Sequence, residues 1–226
     1  MSVIRFDGVS HRYGERRVLE GIQLELTEHR IGIVGANGSG KSTLARMING
    51  LVEPTAGTVT VDELDVRRQG KEVRRRVGFI FTDPDNQIVM PTVGEDVAFT
   101  LRRSGLTKEQ IAARVEETLA RFGLAGHAEH PAHLLSGGQK QLLALAAVMV
   151  AEPSVLVADE PTTLLDARNS RMVAGLLSNL GQQVVVVTHD LALLTEFDRV
   201  IVIEDGLVAA DDTPAAAIAF YRALLG

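Results

Sequence analysis

Cysteine and tryptophan are both absent from this sequence, and it has no long hydrophobic run. Without cysteine the chain has no disulfide, no thiolate metal site and no cysteine nucleophile, which fits a cytosolic protein. The longest apolar run, from Leu142 to Ala151, is about half of the roughly 20 residues that a membrane helix needs. The start of the chain shows no secretory signal pattern. We therefore expect a cytosolic protein that does not itself span a membrane.

Positive charge is also scarce. The chain has 23 Lys and Arg against 29 Asp and Glu, for a formal net charge of -6. This balance gives no electrostatic footprint for nucleic acid, and we predict no nucleic-acid partner. We interpret the basic run from Arg67 to Arg76 as a solvated face before a strand, because charge runs usually form such faces.

Short β-branched runs alternate with helical patterns along the chain. The runs cover residues 31–34, 77–81, 155–158, 184–187 and 200–203. Continuous apolar strands are typical of a sheet covered on both faces, so the pattern predicts an α/β fold with a largely parallel sheet. Residues from about 88 to 150 show no strand pattern. We expect one domain over residues 1–226, with a helical insert at about 88–150.

Helix and turn boundaries can be predicted from local chemistry. Two capping boxes are expected, Thr92 with Glu95 and Thr107 with Gln110. C-terminal caps are expected at Gly123 and Gly181. The "EDG" at 204–206 predicts a hairpin turn, and Thr213-Pro214 predicts the start of a last helix.

A glycine-rich phosphate loop follows the first β-branched run. The stretch "GANGSGKST" comprises Gly35, Ala36, Asn37, Gly38, Ser39, Gly40, Lys41, Ser42 and Thr43. Its position between a strand and a helix is the context that the G-x-x-x-x-G-K-[ST] pattern requires. Backbone N–H groups and the helix N-terminus attract phosphate, Lys41 neutralises it, and Ser42 offers a hydroxyl to Mg²⁺. The motif predicts binding of a nucleoside triphosphate with Mg²⁺.

Two acids, Asp159 and Glu160, follow the buried run "VLVA". Ligands in open α/β sheets sit at the carboxyl ends of strands, which favours Asp159 as a magnesium residue acting through bound water. Glu160 is then the candidate general base for an attacking water. The alternative is that the two acids cap the next helix, which Pro161 would begin.

A second anion cradle is predicted in "LLSGGQKQ", where Ser136, Gly137, Gly138 and Gln139 open an apolar helix. Alone, such a stretch would read as a flexible turn. Here it comes shortly before the acidic strand of a phosphate-loop protein, and the order of the motifs is specific.

Taken together, these motifs resemble an ATP-binding-cassette ATPase over nearly the whole chain. The resemblance also includes Tyr13, "LLD" ending at Asp166, and "VTHD" with His189. It implies a P-loop NTPase fold with a RecA-like core, antiparallel β elements and an α-helical insert. The implied cofactors are ATP and Mg²⁺.

The family resemblance also implies individual roles. Two cassettes would pair head to tail, and Ser136, Gly137, Gly138 and Gln139 of one would touch the γ-phosphate held by the other. Tyr13 would stack on adenine, and His189 would contact the γ-phosphate. Asp166 would serve dimer contacts. The alternative for Tyr13 is an aromatic residue of a turn that packs on its own hairpin. The alternative for His189 is a residue next to a helix N-cap, or a core histidine.

The chain departs from the family at Thr82, where most cassettes place a magnesium-reaching glutamine. A threonine hydroxyl is a shorter candidate ligand. The stretch "DPDNQIVMPTVGEDVAF" that follows resembles the ATPases of energy-coupling-factor transporters, in which a second glutamine, here Gln87, opens a short helix against the coupling protein. Thr82 and Gln87 are therefore both candidate magnesium residues, and Gln87 is also a candidate partner contact. A plain polar turn residue is the alternative for Gln87.

The resemblance therefore implies an ATPase that powers an importer from the cytoplasmic face of a membrane, with biotin as the expected cargo. Implied partners are a second ATPase subunit, a transmembrane coupling protein and a substrate-binding membrane subunit. The alternatives are an importer ATPase for cobalt, nickel or another vitamin, and a non-transport cassette that regulates cell-wall or division machinery.

Overall fold

The computed structural model describes residues 1–226, which form two compact units. The first unit comprises residues 1–79, 154–160 and 177–226, and the second comprises 80–153 and 161–176. None of the helices has the length and apolar character needed to cross a bilayer.

The first unit contains an antiparallel sheet near the N-terminus. Its strands, numbered in chain order, are β1 (Ile4–Tyr13), β2 (Arg16–Leu26), β4 (Ala56–Val61) and β5 (Leu64–Asp65), and they lie in the order β2-β1-β4-β5. Alternate residues of β2 from Ile22 to Leu26 are buried, as expected for strands with one face on a core. The turn between β4 and β5 is tight, with positive φ at Asp62 and Glu63.

The second sheet has six strands. They are β3 (Arg30–Val34), β6 (Val77–Ile80), β7 (Val155–Asp159), β8 (Gln183–Val187), β9 (Arg199–Glu204) and β10 (Leu207–Asp212), in the order β10-β9-β3-β8-β7-β6. The pairs β3–β8, β3–β9 and β7–β8 are parallel, and every residue of β3, β7 and β8 is buried. The five predicted strands are confirmed to within one residue at each end. Positive φ at Asp205 and Gly206 confirms the hairpin turn into β10.

Three helices lie wholly within the first unit: α1 (Lys41–Ile48), α2 (Gly70–Arg76) and α7 (Pro214–Leu225). Helix α1 packs against β7 and β8, while α7 packs against β9 and β10. Pro214 stands in the first turn of α7, as predicted. The basic run falls largely on α2, whose single buried residue is Val73, so this face is solvated.

The second unit is helical, with α3 (Val93–Thr100), α4 (Lys108–Arg121) and α5 (Gly137–Met149), and α6 (Ala167–Ser178) begins in it. Helix α3 packs against α4 and α5. No strand occurs between residues 88 and 150, as predicted. Both predicted capping boxes are present, and Gly123 takes a left-handed conformation just after α4.

The predicted cap at Gly181 is wrong. Helix α6 ends at Ser178, and Gly181 is not among the glycines with positive φ. The guanidinium group of Arg30 instead donates to the carbonyl oxygens of Ser178, Leu180 and Gln182. A side chain from a distant strand therefore satisfies the carbonyl groups that a glycine cap would otherwise have served.

Candidate active site

The phosphate loop connects β3 to α1 and is held in shape by close backbone contacts. A Cβ on Gly35 would lie 2.1 Å from the carbonyl oxygen of Ile203, and one on Gly40 would lie 2.7 Å from the carbonyl oxygen of Val18. Gly40 also has φ of 104°, in the region that side chains disfavour. Only glycine fits at these two positions, and the loop leads directly into the N-terminus of α1, where N–H groups attract anions.

A cavity of about 190 Å³ opens over this loop. Tyr13, Arg16 and Val18 line it on one side, and residues of the loop and α1 line it on the other. The Tyr13 side chain is exposed and packs edge-on against His11, with ring centroids 4.5 Å apart. Lys41 is buried and its Nζ donates to the carbonyl oxygen of Ala36 at 3.2 Å. An aromatic face and two cations therefore surround a space suited to a nucleotide phosphate chain.

The acid at the end of β7 contacts the phosphate-loop helix. Ser42 Oγ donates to Asp159 Oδ1 at 2.7 Å, and Arg46 NH2 donates to Asp159 Oδ2 at 3.0 Å. The Asp159 side chain is only 1% exposed. A buried carboxylate is stable only when it is paired and hydrogen-bonded, and Arg46 supplies the compensating charge. These contacts bring the loop and the acidic strand end together.

The Ser42 and Asp159 oxygens fit a magnesium site. Both are hard donors, and Mg²⁺ typically takes one or two protein oxygens and completes its octahedron with water and substrate phosphates. No cluster of three or more acids or histidines occurs in the chain that would form a cage made entirely of protein ligands. The donor set therefore suits an ion that arrives with the nucleotide.

Glu160 and His189 form the second pair at this edge of the sheet. His189 Nδ1 lies 2.8 Å from Glu160 Oε2. The two residues follow the adjacent parallel strands β7 and β8, and the Glu160 N–H donates to the carbonyl of Val187 at 2.8 Å. The Glu160 side chain is 14% exposed, against 64% for His189. This places a largely shielded carboxylate beside an imidazole that solvent and ligand can reach.

The backbone of Glu160 is strained, with φ of 54°. A left-handed conformation costs a residue with a side chain of order 1–3 kcal/mol, and such strain concentrates at functional sites. It directs the carboxylate toward His189. The alternative that Glu160 caps a helix beginning at Pro161 is wrong, because the next helix begins at Ala167.

The second anion cradle lies in the second unit. Ser136 caps α5: its Oγ accepts from the Gln139 N–H at 3.3 Å, and Gln139 Oε1 accepts from the Ser136 N–H at 2.9 Å. A Cβ on Gly138 would lie 2.5 Å from the Asn169 side chain, whereas Gly137 has open space around it. Asp166 caps α6 by accepting from the Asn169 N–H at 2.8 Å. The first N–H groups of α5 remain the anion-binding feature of this stretch.

Thr82 and Gln87 also lie in the second unit. Thr82 is half-buried in the loop after β6. Gln87 Oε1 accepts from the Phe81 N–H at 3.3 Å, and Gln87 Nε2 donates to the carbonyl oxygen of Ala144 in α5 at 3.2 Å. Both ends of the Gln87 amide therefore have internal partners. Because an amide oxygen has two lone pairs, Gln87 Oε1 retains one acceptor position beside the Phe81 N–H.

The second unit also contains an apolar groove of about 740 Å³ between α3, α4 and the loop after α4. Its floor is built from alanine, valine, leucine and isoleucine side chains. Three acids, Glu95, Glu116 and Glu129, stand on its lining against one base, Lys108. Such a groove fits an apolar segment that carries positive charge.

Sequence reasoning missed Arg16 and Arg46. Arg16 stands three residues after Tyr13 and becomes a lining residue only because β1 and β2 fold over the phosphate loop. Arg46 lies on α1 one turn beyond Ser42, and this spacing places it on the Ser42 face of the helix. That spacing is the signal that could have identified Arg46.

Comparison with known proteins gives consistent matches. The model of the ABC transporter family matches residues 19–163. The biotin transport ATP-binding protein BioM of Rhizobium etli is 47% identical, with 97% of each chain covered. The energy-coupling factor transporter ATP-binding protein EcfA1 of Symbiobacterium thermophilum is 43% identical, over 92% of this chain and 78% of that protein.

Among solved structures, cbiO1 from Clostridium perfringens, part of the ABC transporter complex cbiONQ, superposes with a TM-score of 0.85. Its sequence identity is 32%, and the match covers 96% of this chain and 90% of that one.

Proposed function

Because the chain belongs to the ABC transporter family and is an ATPase coupled to transport, we propose that it energises an importer of the energy-coupling-factor type that takes up biotin. The cargo rests on the BioM relative, which matches over nearly the full length of both chains. The geometric observation that supports hydrolysis is the Glu160–His189 pair, 2.8 Å apart at the carboxyl end of the parallel strands.

In the proposed reaction, Glu160 accepts a proton from the attacking water. Its carboxylate is aimed by the strained backbone and by the hydrogen bond from His189. His189 donates Nδ1–H to Glu160, and Nε2–H is the group that would donate to the γ-phosphate. Lys41 and the N–H groups of the loop offset the charge of the phosphates. Tyr13, which lines the cavity, would stack on the adenine ring.

Magnesium is the proposed second cofactor, held by Ser42 and, through water, by Asp159. When bound, it would neutralise charge that develops on the phosphate oxygens. Arg46 donates a hydrogen bond to Asp159 Oδ2 and thereby orients the carboxylate for this role. Thr82 and Gln87 stay as proposed accessory magnesium ligands.

The proposed assembly is a head-to-tail homodimer attached to membrane subunits. Ser136, Gly137, Gly138 and Gln139 of one copy would meet the phosphates bound by the other. The apolar groove beside α3 and α4 would receive a helix of the transmembrane coupling protein, because its acidic rim suits a helix with basic side chains. The chain would thereby sit at the cytoplasmic face of the membrane, and a substrate-binding subunit would choose the cargo.

The cargo is tested by uptake in cells that produce this chain with the membrane proteins that co-purify with it. We expect uptake of radiolabelled biotin that is lost in the Glu160→Gln variant, because replacing a general base typically lowers the rate by about 10²- to 10⁴-fold. A complex that takes up ⁵⁷Co²⁺ but no biotin would contradict the biotin assignment. It would not contradict the ATPase assignment.

A cobalt importer is the second candidate, favoured by the cobalt import ATP-binding protein CbiO of Syntrophus aciditrophicus, which is 39% identical over 88% of this chain and 74% of that protein. That identity is lower than the 47% of the BioM match. Biotin therefore remains the proposal.

A further inference from the structure

A short stretch between β6 and α3, residues 83–90, is held to neighbouring helices by several side-chain contacts; we name it the tethered segment. It begins with a 3-10 turn at Pro84–Asn86, capped by Asp83, whose Oδ1 accepts from the Asp85 N–H at 3.0 Å. It ends in an open loop where Val89 is 62% exposed. The segment thus combines a fixed start with an exposed apolar tip.

Two of these contacts are hydrogen bonds from uncharged N–H donors. Gln87 bonds to the Phe81 N–H and to the Ala144 carbonyl of α5. Asp96 of α3, which is 3% exposed, accepts from the Val89 N–H at 2.8 Å and from the Met90 N–H at 2.9 Å. These contacts fix the middle and the end of the segment to two helices.

The third contact is an ion pair to the start of α5. Lys140 Nζ lies 2.7 Å from Asp85 Oδ1 and 3.0 Å from Asp85 Oδ2, so the ammonium group bridges both carboxylate oxygens. The Lys140 side chain is 18% exposed and that of Asp85 is 62% exposed, so solvent reaches the pair from the Asp85 side. Lys140 directly follows the Ser136–Gln139 cradle and stands in the first turns of the same helix.

We infer that Lys140 is a positioning residue that makes the tethered segment follow the Ser136–Gln139 cradle as one body. The Lys140 N–H donates to the carbonyl oxygen of Ser136 at 2.8 Å, so a displacement of the cradle also moves Lys140. Lys140 passes that displacement to Asp85, whereas Gln87 contacts α5 one turn further from the cradle, at the Ala144 carbonyl. The inference rests on the proposed dimer, in which ATP draws the cradle onto the partner's phosphates.

Hydrogen exchange on the chain by itself tests the inference without knowledge of the cargo. The Glu160→Gln background keeps ATP bound while exchange is recorded with and without Mg·ATP. With Lys140 intact, we expect ATP to slow exchange both at residues 136–141 and at residues 85–90, the latter by about threefold or more. In Lys140→Met the response at 136–141 persists and the response at 85–90 is lost. The matched control Lys140→Arg keeps the cation and both responses.

Chemical rescue separates charge from packing. Because the chain contains no cysteine, Lys140→Cys carries a single thiol. Aminoethyl methanethiosulfonate restores a cation at this position, and sulfonatoethyl methanethiosulfonate places an anion of similar size there. We expect the response at 85–90 to return with the first reagent only.

The outcomes distinguish this inference from the proposed function. A response at 85–90 that survives in Lys140→Met, or one that neither reagent changes, overturns the positioning role. A response confined to 136–141 in every variant also overturns it and leaves the ATP-driven dimer intact. No ATP response at 136–141 in any variant overturns both the inference and the proposed dimer.

Discussion

Arg16 belongs to no sequence motif and joins the site only through the fold. It lines the cavity over the phosphate loop together with Tyr13 and Lys41. We expect Arg16→Ala to raise the dissociation constant for ATP by about three- to tenfold, because one charge-assisted contact to phosphate is lost. Isothermal titration calorimetry with ATP and with AMP measures this change, which should be larger for ATP.

A matched control for Arg16 is available at the next position. Arg17 pairs with Glu20 and does not line the cavity. Arg17→Ala should bind ATP as the unchanged chain does. Equal affinities for Arg16→Ala and Arg17→Ala would contradict a nucleotide contact for Arg16.

Site residues differ in how well the sequence alone can identify them. The phosphate loop, Asp159 and Glu160 stand in short motifs with one geometric solution, so their positions around β3, α1 and β7 could be predicted. Lys140 could not be identified, because its partner Asp85 is distant in the chain. The spacing of Arg46 on α1 could place it beside Ser42, but its contact with Asp159 could not be predicted. The strained φ of Glu160 is likewise set by tertiary contacts and leaves no local sequence signal.

The turn between β4 and β5 provides a pH-dependent contribution to stability. Burial raises the pKa of Asp62, but hydrogen bonds from the Val3 N–H, Arg76 and Ser2 outweigh it and hold the pKa below the ordinary 3.8. A carboxyl group with a depressed pKa stabilises the fold above its unfolded pKa, and that contribution is lost as pH falls through the folded pKa.

We therefore expect Asp62→Asn to lower the free energy of unfolding by about 1 kcal/mol near neutral pH. Asparagine tolerates the positive φ of this turn, so the change isolates the charge. In urea titrations the difference should begin to shrink below pH 3.8 and disappear below the folded pKa. Glu63→Gln, at the exposed neighbouring position, is the control. A difference that is the same at every pH would contradict the charge-based origin.

Strands and helix caps could be predicted where the sequence around them carries a local signal. The β-branched runs located five strands because a sheet covered on both faces needs continuous apolar residues. The bounds of β1 and β2 could not be set from the sequence, since positive φ at Gly8 and register shifts interrupt their alternation. The cap predicted at Gly181 failed because Arg30, far away in sequence, takes over the carbonyls of α6.

The proposed head-to-tail dimer can be tested by mixing two inactive chains. Lys41→Ala removes the phosphate-loop cation. Ser136→Asp keeps an N-cap oxygen on α5 but places negative charge where the partner's phosphates would lie. Each variant alone should be inactive. In a mixture, half of the dimers are heterodimers with one intact composite site, so about a quarter of the wild-type ATPase rate should return if the sites act independently.

The ATPase rate as a function of mixing ratio distinguishes a head-to-tail dimer from chains that each complete their own site. A head-to-tail dimer gives a maximum at equal amounts. If each chain completed its own site, the mixture would stay inactive at every ratio, which would contradict the proposed arrangement.

The left-handed backbone of Glu160 has a consequence for how this protein can change over generations. Glycine at that position would relax the chain and remove the carboxylate in the same step. The substitution that most readily improves folding there is thus one that removes the proposed catalytic base. Selection for fold stability and selection for ATP hydrolysis therefore favour different residues at position 160.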